Sequence, residues 1–417
     1  MTRIIYKNIG VSILLVSTFL VLFRLPAANA AFVSSLSGST LTLTQVVNDG
    51  AVTIDNNGAG NEFRVIDGSG TTAYVTVSNV IVNMINGTEN QLNIDFDNPI
   101  NGFATFNAGD GPRVIKFIGT SNSFSGDLKI ICDRGVQTVE LSAGKTLVVG
   151  GSLLVDLGFN DDIVDEDNRG INVTGKVELK GVNRFIVSGT LTVGGDFTMV
   201  DSVEAINSTL QIKGKEQSTI GGNFNYRGGS DVDNVFLHAV KINGNVDIDL
   251  SNGFTTGDDD QNVEFSGRGS VGGELRIESG DSTNGDNISF LPGTTFGGNL
   301  IVNLREGNNY VKFMSTYNGN RGKYRGGSGV DNIHLNASAE SMRFDIRLRD
   351  GDDSLTLNAG TLVASLFVDF GCFGMDTFID NLGTPYPFPA TIRNLDMEEC
   401  VTGNTCFVIQ SIKNPTG

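Results

Sequence analysis

From about Asn61 onward, apolar and polar residues alternate in short runs, and the runs repeat along the chain. Val235/Leu237, Val263/Phe265, Ile288/Phe290, Val311/Phe313, Ile333/Leu335 and Leu355/Leu357 form one column of apolar pairs. Val246/Ile248/Leu250, Leu275/Ile277, Leu300/Val302/Leu304, Phe344/Ile346/Leu348 and Leu366/Val368/Phe370 form a second. A spacing of two puts these side chains on one face of a β-strand and turns the intervening Asn, Asp, Arg and Ser to the other. Helical spacing is not sustained anywhere after residue 30. Gly/Asp turns such as Gly326 to Asp331 and Gly351 to Asp353 separate the runs. They recur at intervals of about 24 residues, and a unit that small must stack on its neighbours to bury its apolar face. The pattern predicts an all-β solenoid of parallel, in-register strands, with about fourteen coils capped at both ends.

The flanks read differently. Arg3 and Lys7 precede an apolar run from Val11 to Phe23, and Ala28-Asn29-Ala30 is a small-x-small cleavage site. Residues 1–30 are therefore expected to be a secretory signal peptide, with an uncleaved N-terminal anchor as the rival reading. Residues 31–60 are expected to cap the open end of the solenoid, which spans 61–380. Residues 381–417 are expected to form the C-terminal cap and tail, because Pro385, Pro387 and Pro389 cannot donate to a strand ladder. Cys400 and Cys406 close a short loop there and are the expected disulfide in an exported chain. Cys132 and Cys372 read as small buried hydrophobes.

Composition narrows the partners. The chain has 54 Gly in 417 residues with no three-residue period, which means tight turns and not collagen. Losing Arg3, Lys7 and Arg24 with the signal takes the formal charge from −18 to −21. That acidity disfavours nucleic acid and anionic membranes as partners. No later stretch is apolar enough for membrane insertion after signal cleavage. An extracellular glycan or a surface protein is the expected partner.

The stacked columns resemble right-handed parallel β-helices, the architecture of the pectate-lyase-like superfamily and of many surface proteins. That resemblance implies a fold and carries no function by itself. The turn Gly326-Gly327-Ser328-Gly329-Val330-Asp331-Asn332-Ile333 is similar to the calcium-binding nonapeptide of repeats-in-toxin proteins. It implies calcium as the cofactor, held by Asp231, Asp233, Asp331, Asp352 and Asp353, since Ca²⁺ prefers several hard oxygens. In that family the motif repeats in tandem every nine residues or so, whereas here it comes once per coil. The competing reading is plain turn geometry, in which Gly supplies positive φ and Asp bonds the local backbone.

A basic island interrupts the acidic chain. Arg321, Lys323 and Arg325 are followed by Arg343, Arg347 and Arg349, and the last three alternate with Phe344, Ile346 and Leu348 and so project outward. Together with Asp353 they form an alternative catalytic set for a lyase or hydrolase acting on acidic glycans. The bland reading pairs them with Asp345 and Asp369. His238 and His334 read as solvent-facing strand residues. No nucleophile elbow, phosphate loop, zinc helix or dinucleotide fingerprint is present. The expected function is an exported, non-catalytic solenoid with a structural or adhesive role outside the cell, stabilised by calcium.

Overall fold

The computed structural model describes residues 20–21 and 32–394, apart from 47–50, 57–62, 68–69, 75–76, 85–89, 111–112, 120–121, 135–136, 142–145, 159–162, 167–169, 202–206, 215, 231, 251–260, 281–284, 359, 373 and 383–387. All regular elements among them are strands, wound into a parallel β-solenoid with three walls. One coil shows the plan. Asp286–Phe290 lies in the first wall, Thr295–Phe296 in a short second wall and Leu300–Asn303 in the third. The chain then returns to the first wall with Tyr310–Phe313. Stacked strands are parallel and in register, so Ile288, Val311, Ile333 and Leu355 form one continuous column. Leu275, Leu300, Gly322 and Phe344 form another.

The solenoid has about 11 turns, not fourteen. The first wall runs from Ala51–Asp55 to Thr377–Asp380, but a full turn also needs a second-wall strand. The first strand of that wall is Ser123–Phe124, preceded by a single bridging residue, Ile100, and the wall ends where Leu362 pairs with Ser338. Counting turns from one wall therefore overstates the number of closed coils.

The N-terminal end is covered by antiparallel hairpins. Phe32–Ser37 pairs antiparallel with Thr40–Gln45, which itself stacks parallel on Asn79–Asn83. Ala51–Asp55, Phe63–Asp67 and Gly70–Tyr74 form a second antiparallel set, and the Tyr74 hydroxyl donates to Ser34 Oγ at 2.7 Å. Turning strands antiparallel at the rim breaks the repeating edge that would otherwise template another chain. At the other end Ala390–Arg393 pairs with Leu362–Asp369, so the third wall continues past residue 380. Cys400 and Cys406 lie outside the described residues.

The interior is an apolar column filled by all three walls. Phe265, Phe290 and Phe313 stack nearly parallel, with centroids 5.7 and 5.4 Å apart, while Phe296 and Tyr317 meet Phe290 edge-on. Stacked and edge-to-face rings add about 0.5–1.5 kcal/mol per pair beyond their buried area. Cys132 is buried here as expected, but Cys372 is exposed. It follows Gly371, whose φ of +96° ends the third-wall strand and breaks the in-out alternation.

Corners explain much of the Gly and Asn usage. At the bend between second and third walls the chain repeats Gly221-Gly222-Asn223, Gly272-Gly273-Glu274 and Gly297-Gly298-Asn299. Asp196 Oδ1 accepts the Asn223 amide at 2.7 Å, Asn223 Oδ1 accepts the Asn245 amide at 2.9 Å, and Asn245 Oδ1 accepts the Glu274 amide at 2.9 Å. The backbones of successive corners nearly touch. A Cβ on Gly298 would sit 2.2 Å from the Gly273 carbonyl oxygen, a rigid backbone atom. Gly298→Ala is expected to lower stability by about 2–4 kcal/mol, read as a shifted denaturant midpoint with unchanged strand content.

Candidate functional site

Two features concentrate chemistry, one inside the solenoid and one outside it. The inner one follows from strand parity. Asp331, Ile333 and Leu335 share a phase, as do Asp353, Leu355 and Leu357, so these aspartates point inward with the core. Register makes them one polar column at the edge of the first wall. Asn183, Ser208, Asp233 and Gln261 are its earlier members. Asp286, Asn309, Asp331, Asp353 and Asp376 continue it. All of these side chains are buried.

Hydrogen bonds run from rung to rung along the column. Asn309 Oδ1 accepts the Asp286 amide at 3.1 Å, and Asn309 Nδ2 donates to Asp331 Oδ1 at 2.7 Å. Asp353 Oδ1 accepts the Asp331 amide at 2.8 Å, and Asp376 Oδ1 accepts the Asp353 amide at 3.1 Å. Tyr226 donates to Asp233 Oδ1 at 2.8 Å. The Asp353 Oδ2 atom is buried without a hydrogen-bond partner among the described residues, and the Asp331 carboxyl is buried beside the Tyr324 hydroxyl. An ionised carboxylate is expensive in such a place, so the protonated form is favoured.

Burial, followed by the neighbouring Asp353 charge, pushes the Asp331 carboxyl up to about 8. Burial pushes Asp353 up to about 7, against the opposing Asp331 amide bond. Asp233 is raised well above the usual carboxylate range, again chiefly by burial. At neutral pH Asp331 therefore holds its proton and Asp353 is close to half-protonated, where ordinary aspartates would carry charge.

The sequence-derived ligand set is thus divided. Asp233, Asp331 and Asp353 face the interior, while Asp352 is exposed and its Oδ1 accepts the Met375 amide at 2.8 Å. Asp231 lies outside the described residues. Among the described residues, no group of three or more His, Cys, Asp or Glu side chains is gathered as for a metal ion.

The outer feature is the face of the third wall near its C-terminal end. Arg321, Arg343, Arg347 and Arg349 are exposed, and Arg343 and Arg347 help line an open depression of about 730 Å³. Arg347 Nε donates to Asp345 Oδ1 at 3.0 Å, and an Arg321 nitrogen lies 3.7 Å from Asp345 Oδ2. Arg347 and Arg393 both lie over the Phe367 ring, at 5.8 and 5.2 Å. Asp369 accepts from Asn394 Nδ2 at 2.6 Å. The arginine row and Asp353 are not brought together, since the first faces outward and the second is sealed inside.

The two histidines sit on the outer surface of the first wall. His238 Nδ1 is 3.1 Å from Ser266 Oγ, and His334 meets the Tyr310 ring edge-on at 5.2 Å. Partial burial and the Lys312 charge hold the His334 imidazole below its usual range.

No protein-family model, curated protein or solved structure matches the chain.

Proposed function

We propose that the chain is an exported, non-catalytic β-solenoid with a structural or adhesive role at the cell surface or in the extracellular space. The observation that carries this reading is the division of the reactive groups. The carboxylates with raised proton affinity are locked inside the wall, and the arginines that could contact a substrate are outside it. Acid-base work on a glycan needs a proton donor or acceptor within hydrogen-bond reach of the substrate. The regular outer walls instead suit lateral contact with a surface or another polymer.

A second reading, an enzyme of acidic glycans, has one observation in its favour: the arginines and Phe367 line an open depression. Incubation of the mature protein with acidic polysaccharides, with product ends assayed, separates the two. The expected result is no turnover in either wild type or an Arg343→Ala/Arg347→Ala variant. Cleavage that the double variant loses would replace the structural reading with the enzymatic one. Protease shaving of intact cells tests the surface location.

Calcium belongs to this reading as a ligand of the outer turns, Asp352 among them. Calorimetric titration of chelator-treated protein with calcium checks it: saturable uptake assigns these turns to the cation, and no uptake leaves them as backbone caps.

A further inference from the structure

The outward column nearest the end of each third-wall strand has an unusual charge order. Before Asn303 it reads Arg227, Asp249 and Glu278 on successive rungs. After Asn303 it reads Arg325, Arg347 and Asp369. Over these seven rungs, reversing the order and inverting every sign reproduces the column, centred on Asn303; the next rungs out, Val200 and Arg393, do not continue the match. From these placements we infer that this face pairs with the same face of a second copy of the chain, with the two solenoids antiparallel.

The geometry follows from one two-fold axis. An axis in the interface plane, parallel to the strands and through the Asn303 rung, keeps each column opposite itself and reverses the rung order. Glu278 then faces the partner's Arg325, Asp249 faces the partner's Arg347 and Arg227 faces the partner's Asp369. Each pairing occurs twice, as an isologous contact requires. Counting the three outward positions of each strand, the two rungs before Asn303 sum to −3 and the two after it to +4. The half-buried Ile301 sits on the central rung and meets its own copy.

The single chain supplies a reason for such a contact. Asp249 stacks directly on Glu278, and Arg325 stacks directly on Arg347. Like charges directly opposite on neighbouring strands are destabilising. Within the chain Arg227 already lies 3.8 Å from Asp249, and a second copy in the antiparallel arrangement adds a further opposite charge to each member of both stacks. In the adjacent column the same axis sets Arg276 against the partner's Lys323 and Asp247 against the partner's Asp345, like charges that Arg276 and Asp345 offset within their own rungs through Glu278 at 2.6 Å and Arg347 at 3.0 Å.

Size sets the strength. About seven rungs at about 4.8 Å, across about 15 Å of strand, give roughly 500 Å² per partner, below the roughly 800 Å² of a standard stable interface. The dimer is therefore weak and reversible, and since its rim charges are solvated it weakens as salt rises.

Sedimentation velocity on the mature chain tests this at low and high salt. The wild type is expected to dimerise with rising concentration at low salt and to be at least roughly tenfold weaker at high salt. An Asp249→Arg/Glu278→Arg variant and an Arg325→Glu/Arg347→Glu variant should each stay monomeric, because each face then repels itself. A one-to-one mixture of the two variants should recover the dimer, because their faces are complementary again. Circular dichroism confirms that both variants are folded, as expected for outward positions that are half-buried (Asp249, Glu278, Arg325) or exposed (Arg347) and not part of the core. A wild type that stays monomeric at low salt, including one whose arginine half binds an acidic glycan instead, would overturn the proposal. So would variants that still dimerise alone, or a mixture that does not associate.

Discussion

Raising the pH from about 5 to about 9 is expected to lower the melting temperature of the protein by roughly 5–10 °C. Asp331 and Asp353 carry folded-state values of about 8 and about 7. An unfolded aspartate titrates near 3.9, and each tenfold difference in proton affinity corresponds to about 1.4 kcal/mol. The folded chain binds more protons than the unfolded chain between those limits. The stabilising contribution is therefore complete below about pH 4 and is lost as the pH climbs through about 7 to 8. Asp331→Asn/Asp353→Asn keeps an acceptor oxygen at both rungs and removes the ionisation. That variant should show a flatter pH dependence and melt above the wild type at alkaline pH. A wild type that gains stability across the same range would place both carboxyls in water.

Phe290→Ala is expected to lower stability by about 3–5 kcal/mol. Phe290 is fully buried and touches four rings, those of Phe265, Phe296, Phe313 and Tyr317. The flanking coils are fixed by their own ladders and cannot collapse into the space. In a solenoid each coil contacts only its neighbours, so the loss should be local. Hydrogen exchange should rise in the coils holding Phe265, Phe290 and Phe313 and much less near Phe106. Ser289→Ala, on the outward face of the same strand, should stay within about 0.5 kcal/mol of wild type. Equal effects of the two substitutions would contradict the inward assignment of the Phe column.

Alternation alone makes the solenoid readable in the sequence. Pairs such as Ile288/Phe290 and Val311/Phe313 fix the parity of a strand, and their recurrence fixes parallel stacking, since only that arrangement makes columns. The number of closed turns was harder to see. Second-wall strands such as Thr295–Phe296 are two residues long and leave almost no periodic signal.

The polar column was legible in principle. Asp331 stands two residues before Ile333, and Asp353 two before Leu355, so both share the inward phase. Their place beside glycine-rich turns draws attention to turn chemistry and away from parity. Side-chain hydrogen bonding from one rung to the next, as between Asn309 and Asp331, depends on register, which a single strand does not reveal. The outward arginines followed directly from alternation with Phe344 and Ile346. Their separation from Asp353 required knowing that the two lie on different walls.

The most direct test of the buried, proton-holding column is a carbon NMR titration of the aspartate side-chain carboxyls in the folded chain, assigned with the Asp331→Asn and Asp353→Asn variants. Two carboxyls are expected to ionise near the values of about 8 and about 7 that their burial dictates. Titration of every aspartate below about pH 5, in the range of solvated carboxylates, would contradict the inward column and the account built on it.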